Sequence, residues 1–149
     1  MAEAVCARII CILTENRICT FERVLDAVCG TGYFAAKIHD AGFQVTAVDY
    51  AKGMIKKVQS KFAAKKMLQF ERTNLAKVLP YQDATFDHIV SVSVLQSVPD
   101  PVFTLQEFRR ILKPEGIVII THSPKPDAHH IPLKQHVGRQ SGHASKKTF

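Results

Sequence analysis

The chain has 149 residues, 46% of them apolar and 22% charged, and it carries a formal net charge of +7 at pH 7. This length suits one domain, and the balance of apolar and charged residues excludes a disordered chain and a membrane-embedded one. The cationic excess raises the question of an acidic partner such as a nucleic acid.

The N-terminal segment, residues 1–20, contains the apolar run AVCARIICIL, which Arg8 interrupts. The run follows Glu3 rather than a basic leader, and it is far shorter than the ~20 residues of a membrane-spanning helix. It predicts an amphipathic helix without a cleavable signal or anchor, and hence a cytoplasmic location. The 4 cysteines show no C-x-x-C spacing, which favours free thiols over a zinc site or a disulfide framework.

Between residues 21 and 123, apolar runs rich in Val and Ile alternate with helix-like segments. This alternation predicts an α/β core of about five parallel strands covered by crossover helices. The runs are RVLDAV, QVTAV, LQFERT, FDHIVSVS and GIVIITHS.

The intervening segments carry helix signals. The first helix is predicted from about Tyr33 to a left-handed cap at Gly42. The second is predicted from Ala51 to about Lys66, with Ile55, Val58 and Phe62 on one side and lysines largely on the other. These lysines fit a solvent face better than a nucleic-acid groove.

The last helix is predicted to start at an Asp100 N-cap with Pro101 at the first helical position. The sequence KPEG is expected to end it and turn the chain into the fifth strand. The predicted buried stripe consists of Leu105, Phe108, Ile111 and Leu112.

Residues 124–149 have a different character, with prolines, basic residues and histidines but little apolar periodicity. They predict a loosely ordered basic tail. Its histidines lack a framework that would hold tetrahedral geometry, so no metal site is expected. They are His129, His130, His136 and His143.

The loop after the first strand satisfies G-x-G-x-x-[GA] through Gly30, Gly32 and Ala35, and Asp49 ends the next strand. Two interpretations fit this pattern: a cradle for a dinucleotide pyrophosphate and a seat for a sulfonium methyl donor. Asp26 separates them, because a carboxylate repels a pyrophosphate but attracts the cationic ammonium and sulfonium of a methionine moiety.

Four ordered blocks extend this pattern: VLDAVCGTG, VTAVDYAKGMI, LPYQDATFDHIVSVSVLQSVPDP and LQEFRRILKPEGIVII. Together, from about Phe21 to Ser123, they resemble the class I S-adenosylmethionine-dependent methyltransferases, specifically the small-molecule enzymes related to ubiquinone and menaquinone methyltransferases. The resemblance implies a Rossmann-like doubly wound sheet of strand order 3-2-1-4-5. It also implies S-adenosylmethionine as cofactor and methyl transfer to a small-molecule acceptor.

The resemblance also assigns site residues. In the family, the end of the first strand and the loop after it hold the methionine half of the donor, and the matching residues are Asp26, Cys29, Gly30 and Gly32. The end of the second strand holds the ribose, which matches Asp49, and flanks the adenosine, which matches Tyr50. The end of the third strand contacts the adenine edge, which matches Asn74 and Leu75, and the end of the fourth strand faces the methyl group, which matches Ser91 to Ser93.

No catalytic residue is assigned, because catalysis by alignment needs no dedicated acid or base. His122, at the end of the fifth strand, is a candidate general base, although a lone histidine there more often packs or hydrogen bonds.

Three features depart from the family pattern. Val28 stands where the family has glycine or another small residue, and Asn74 stands where aspartate is common. The family fold also continues past the fifth strand with a helix and a distal antiparallel strand pair, which this sequence lacks. The chain is therefore expected to be a C-terminally truncated donor-binding core whose open fifth strand invites homo-oligomerisation.

Three other functions stay open. A non-catalytic or incomplete domain would act by assembly with a partner. An RNA methyltransferase would use the basic residues, but SVSVLQSVPDP stands where a nucleobase enzyme carries an Asn/Asp-Pro-Pro-Tyr type loop. A nicotinamide-dependent oxidoreductase is disfavoured by Asp26 and the downstream blocks. No membrane partner is predicted.

Overall fold

The structure, a computed structural model, describes residues 1–122 with their side chains and residues 136–139 as backbone. None of the helices in this part of the chain is long and apolar enough to cross a membrane. The elements in chain order are α1 (Ala2–Glu15), β1 (Arg23–Ala27), α2 (Tyr33–Asp40), β2 (Gln44–Asp49), α3 (Lys52–Lys61), β3 (Leu68–Arg72), β4 (Phe86–Val92), a 3₁₀ turn (Leu95–Ser97), α4 (Pro101–Ile111), β5 (Leu112–Thr121) and β6 (His136–Arg139).

The five predicted strands form one parallel sheet in the order β3-β2-β1-β4-β5, which confirms the predicted topology. β1 lies between β2 and β4, so the chain winds from β1 towards one edge and from β4 towards the other. In such sheets the loops at the carboxyl ends of the strands diverge at this point and leave a crevice for a ligand.

Helices cover both faces of the sheet. Ile9, Ile38 and Ile55, from α1, α2 and α3, belong to one buried apolar cluster. Phe108 and Ile111 of α4 belong to a second cluster, on the opposite face. Because side chains alternate along a strand, β1 and β4 contribute to both clusters.

The ends of the first two crossover helices largely match their predictions. Gly42 follows α2 with a φ of 92°, a left-handed conformation that glycine adopts without strain. α3 ends at Lys61 rather than at the predicted Lys66. The predicted solvent face of this helix is confirmed, since its lysines at positions 52, 56, 57 and 61 are exposed.

In α4, the Asp100 cap is confirmed by a 3.0 Å hydrogen bond from the Phe103 amide to Asp100 Oδ1. The predicted stripe is wrong at Leu105, which is 36% exposed, while Glu107 is buried at 7%. Burial of Glu107 is tolerated because its carboxylate accepts from the Leu79 amide at 2.7 Å and pairs with Arg110 at 2.7 Å. An apolar pattern alone does not reveal such a partner.

The expectation that β5 forms an open edge is wrong. β6 pairs with it in antiparallel fashion, from Ile117 opposite Arg139 to Ile120 opposite His136. Backbone groups make this pairing, and four residues that include Gly138 show too little apolar alternation to mark a strand in the sequence. The predicted homo-oligomer through a free β5 edge thus loses its structural basis.

The rest of the predicted tail, residues 124–135 and 140–149, lies outside the described residues, as do the side chains of its four histidines. Within the described residues, β6 is the one antiparallel strand of the sheet.

Candidate functional site

A cleft of about 290 Å³ lies where β1, β2, β3 and β4 end. The loops after these strands supply its walls, as expected for the switch point of a doubly wound sheet. The lining residues are Val28, Asp49, Tyr50, Thr73, Asn74, Leu75, Ala76, Ser93, Val94, Ser97, Val98 and Pro99.

The structure brings part of the predicted site together in this cleft. Asp49, Tyr50, Asn74 and Leu75 line it, and so does Ser93, at the end of the predicted stretch from Ser91 to Ser93. The predicted residues outside the lining are Asp26, Cys29, Gly30, Gly32 and Ser91. Val28, singled out as a departure, lines the cleft as well.

Asp49 connects the glycine loop to the start of α3. Its Oδ2 accepts from the Gly30 amide at 3.1 Å, and its Oδ1 accepts from the Ala51 amide at 2.9 Å. The Gly30 amide is therefore engaged by a carboxylate rather than presented to a phosphate. Each carboxylate oxygen keeps a further lone pair, so Asp49 can still accept from ribose hydroxyls.

Asp26 is 2% exposed, and its Oδ2 has no hydrogen-bond partner among the described residues. Burial raises the pKa of this carboxyl to about 7; the Ala35 amide opposes the shift and the nearby Asp49 charge adds to it. None of the ion pairs formed within residues 1–122 involves Asp26 or Asp49. A buried acceptor without a partner is costly, and a cationic ligand group would relieve it.

Gly30 and Gly32 of the loop differ in what a side chain would meet at each position. Both adopt left-handed conformations, with φ of 51° at Gly30 and 77° at Gly32. A Cβ at Gly32 would lie 2.7 Å from the Phe62 ring, whereas one at Gly30 would meet nothing within 4 Å. Gly32 therefore serves packing, and Gly30 leaves open space beside the loop.

Val28 has a φ of 72°, a left-handed conformation that a β-branched residue rarely adopts. Such strain costs about 1–3 kcal/mol and persists where the surrounding structure enforces it. The valine thus takes a glycine-like backbone and directs a side chain, half-buried, to the cleft wall. The sequence showed that Val28 departs from the family pattern, but it did not indicate the left-handed backbone conformation of this residue.

The cleft wall that the resemblance places beside the adenine, called the adenine-side wall here, is a turn that begins at Asn74. Asn74 Oδ1 accepts from the Ala76 amide at 2.9 Å, and the Asn74 carbonyl accepts from the Lys77 amide at 3.2 Å. The side-chain oxygen of Asn74 thus stabilises the turn, as aspartate would also do. Leu75 is 5% exposed and supplies an apolar surface.

Tyr50 is 60% exposed at the cleft rim. The Arg72 guanidinium lies 5.0 Å from the centre of its ring, and Arg72 Nε donates to the Tyr50 carbonyl at 3.0 Å. The sequence analysis did not select Arg72, although its position at the end of the third strand could have indicated it. It holds the aromatic ring that the resemblance places beside the adenosine.

Cys29 and Ser91 lie in the core. Burial raises the pKa of the Cys29 thiol to about 12, so it stays protonated at neutral pH. Ser91 is fully buried on β4, and its Oγ has no partner among the described residues. Neither side chain lines the cleft.

His122 follows β5 and is exposed. Its Nδ1 lies 3.0 Å from Gln96 Oε1, which joins it to the 3₁₀ turn at the cleft rim, but it does not line the cleft. Other wall residues, among them Thr73, Val98 and Pro99, were not predicted, because loop positions carry no periodic signal. Within residues 1–122, no group of three His, Cys, Asp or Glu side chains is placed to hold a metal ion.

The strand order and the cleft define a Rossmann-like α/β domain. The chain belongs to the methyltransferase domain family, whose model matches residues 25–120. A demethylmenaquinone methyltransferase of Clavibacter sepedonicus is 32% identical over 105 residues, which cover 70% of this chain and 42% of that protein.

Solved structures agree with this membership. A chain in the complex of the Haloferax volcanii Trm112 methyltransferase activator with a methyltransferase gives a TM-score of 0.65 at 27% identity, covering 69% of this chain and 46% of that one. The [4+2]-cyclase SpnF gives a TM-score of 0.68 at 25% identity, covering 77% and 44%. The chain spans less than half the length of the curated relatives it matches.

Proposed function

We propose that this domain binds S-adenosylmethionine in the cleft and transfers its methyl group to a small-molecule acceptor. The observation that carries the proposal is the pair of neighbouring carboxylates: Asp49, fixed at the cleft by two backbone amides, and Asp26, buried with an unpaired oxygen. Two carboxylates that pair with no basic side chain among residues 1–122 favour a cationic ligand over a pyrophosphate.

The residues present fit such a donor. Asp49 would accept hydrogen bonds from the ribose, while Tyr50 and Leu75 would enclose the adenine and Asn74 would orient the wall beside it. Asp26 would face the methionine ammonium, with Cys29, Gly30 and Gly32 shaping the loop around that half. Ser91 lies in the core, so Ser93, which lines the cleft, is the residue of this stretch that would face the methyl group.

When bound, the donor supplies an electrophilic methyl group on its sulfonium. The task of the protein is then to hold nucleophile, methyl carbon and sulfur in line and to exclude water, since orientation alone supplies a large part of such rate enhancements. In this scheme Val98 and Pro99, which line the cleft, limit the access of water. No side chain is required as acid or base, and His122 is left without a catalytic role.

The proposal of a small-molecule methyl acceptor rests on the relatives that this chain matches. The C. sepedonicus relative is named for demethylmenaquinone, a small molecule, and its match covers 70% of this chain. The Haloferax relative is solved with an activator protein, so a partner that completes the acceptor side is compatible with this proposal.

A domain that acts only by assembly is the second candidate, and one observation favours it. The strained Val28 in the cleft wall is compatible with a site that has lost its donor. Binding of S-adenosylmethionine separates the two candidates.

Calorimetry with S-adenosylhomocysteine tests the site. We expect Asp49→Ala to weaken binding at least about tenfold, a loss of about 1.4 kcal/mol, because a ribose acceptor and a loop contact are both removed. Asp40→Ala is the matched control, since Asp40 is an exposed carboxylate that pairs with Lys65 and does not line the cleft. Equal affinities for the wild type and Asp49→Ala would refute the assignment.

A further inference from the structure

α4 contacts the adenine-side wall of the cleft through a buried hydroxyl. Thr104 has no exposed surface, and its Oγ lies 3.1 Å from the Leu75 carbonyl oxygen and 3.1 Å from the Asp100 carbonyl oxygen. A hydroxyl has one proton to donate, so the Asp100 carbonyl of the helix and the Leu75 carbonyl of the wall share a single donor. This hydroxyl attaches the Leu75 backbone to the first turn of α4.

One turn further along α4, an ion pair holds the same segment. Glu107 Oε2 accepts from the Leu79 amide at 2.7 Å, and Arg110 donates to the Leu79 carbonyl at 3.0 Å and to the Tyr81 carbonyl at 2.7 Å. The hydrogen bonds from Arg110 lower the pKa of Glu107, so the pair stays ionised at neutral pH. The segment from Leu75 to Tyr81 is therefore attached to α4 at both ends.

The fixed segment includes part of the turn that lines the cleft. Asn74, Leu75 and Ala76 are lining residues, and the Asn74 turn leads directly into Leu75. A ligand ring that packs against this wall needs it held to within about 0.5 Å. Thr104 lies outside the cleft and touches no ligand position.

We propose that Thr104 is a positioning residue for recognition of the adenosine half of the donor: its buried hydroxyl fixes Leu75 and thereby sets the depth of the adenine-side wall. The inference rests on the proposed function, because it names the residue that holds that site in shape. Glu107 and Arg110 fix the far end of the segment, and Thr104 fixes the end at the cleft.

The test compares two variants that each lose one hydroxyl with one variant that keeps it. Thr104→Val keeps the size of the side chain and removes the donor, and Thr104→Ser restores it. Thr85→Val is the matched control, because the Thr85 hydroxyl also donates to a backbone carbonyl, that of Gln82 at 2.7 Å, but lies away from the cleft. The probes are S-adenosylhomocysteine and 5′-methylthioadenosine, which lacks the amino-acid half.

We expect Thr104→Val to lower the affinity for both probes about tenfold. The affinities of Thr104→Ser should be close to wild type, and those of Thr85→Val should be unchanged. An equal loss of affinity for both probes locates the effect at the adenosine half. Unchanged affinities in Thr104→Val, or failure of Thr104→Ser to restore them, would overturn the inference. If the wild type itself binds neither probe, the proposed function fails instead.

Hydrogen exchange gives a readout that needs no ligand. In Thr104→Val, the amides of Ala76 and Lys77, which close the Asn74 turn, should exchange faster than in wild type and in Thr85→Val. If Thr104→Val does not fold, the wild type still tests the inference. Binding of 5′-methylthioadenosine should then protect amides of α4 together with those of the wall, and protection of the wall without α4 would contradict the attachment.

Discussion

Asp26 is buried, and one of its carboxyl oxygens has no partner among the described residues. Its contributions to the stability of the fold and to the affinity for a ligand both depend on pH. The unfolded chain releases this proton near pH 3.8, while burial raises the folded pKa to about 7. The folded state therefore binds the proton more tightly, and the contribution of Asp26 to stability is fully present below about pH 4 and lost as pH rises through about 7. A cationic ligand needs the opposite form, the carboxylate.

We expect Asp26→Asn to remove both pH effects. In urea unfolding of the ligand-free protein, wild type should lose stability relative to Asp26→Asn between about pH 5 and pH 8. Over about pH 6 to pH 8, wild type should gain affinity for S-adenosylmethionine, up to about tenfold, as the ionised fraction of Asp26 increases. Parallel pH profiles for the two proteins in both measurements would show that Asp26 does not titrate in this range.

Val28 combines backbone strain with a side chain in the cleft wall, and two substitutions separate these effects. Val28→Ala removes most of the side chain and keeps the strain, whereas Val28→Gly removes both. We expect Val28→Gly to tighten S-adenosylhomocysteine binding several-fold, by about 1 kcal/mol, because the loop then reaches the bound conformation freely. An unchanged dissociation constant in calorimetry would show that the valine does not hinder the donor.

At the scale of elements, the glycine loop and α2 depend on the contact of Gly32 with the aromatic pair below it. The Phe62 and Phe70 rings stack with centroids 5.7 Å apart, and a Cβ at Gly32 would approach both. A substitution there meets a clash as well as an unfavourable φ, while one at Gly30 meets the φ penalty alone.

We therefore expect Gly32→Ala to lower the free energy of unfolding by about 2–4 kcal/mol, and Gly30→Ala by about 1–2 kcal/mol. Chemical denaturation of the two variants measures the difference. Similar losses at both positions would mean that the aromatic pair moves aside without cost and that Gly32 is not set by packing.

Local patterns predicted the elements that bury apolar runs, but not those that depend on a distant partner. The strands β1 to β5 were visible because each is a Val- and Ile-rich run, and Asp49 was visible because it follows a glycine loop at a fixed distance. Burial of Glu107 depends on Arg110 and on the Leu79 amide, which lies in another segment. The left-handed Val28 contradicts its own intrinsic preference, so no local rule could find it.

At the scale of the molecule, β6 covers the edge of the parallel sheet. β5 is ten residues long, and its last half pairs with β6, so removal of β6 would expose a row of unpaired backbone groups.

Truncation after Ser123 should therefore convert a protein that stays dispersed into one that associates. Light scattering of the full chain and of the truncated chain, at matched concentrations, measures this change. A truncated chain that stays at the mass of the full-length protein would show that β6 is not needed to protect the sheet edge.

The central claim is that the cleft beside Asp49 holds a cationic methyl donor, with Asp26 close to its methionine half. A crystal structure of the protein with S-adenosylhomocysteine tests it most directly. The account predicts ribose hydroxyls on Asp49, adenine against Leu75 and the ammonium group within reach of Asp26. An empty cleft at saturating ligand, or a ligand bound away from both carboxylates, would contradict it.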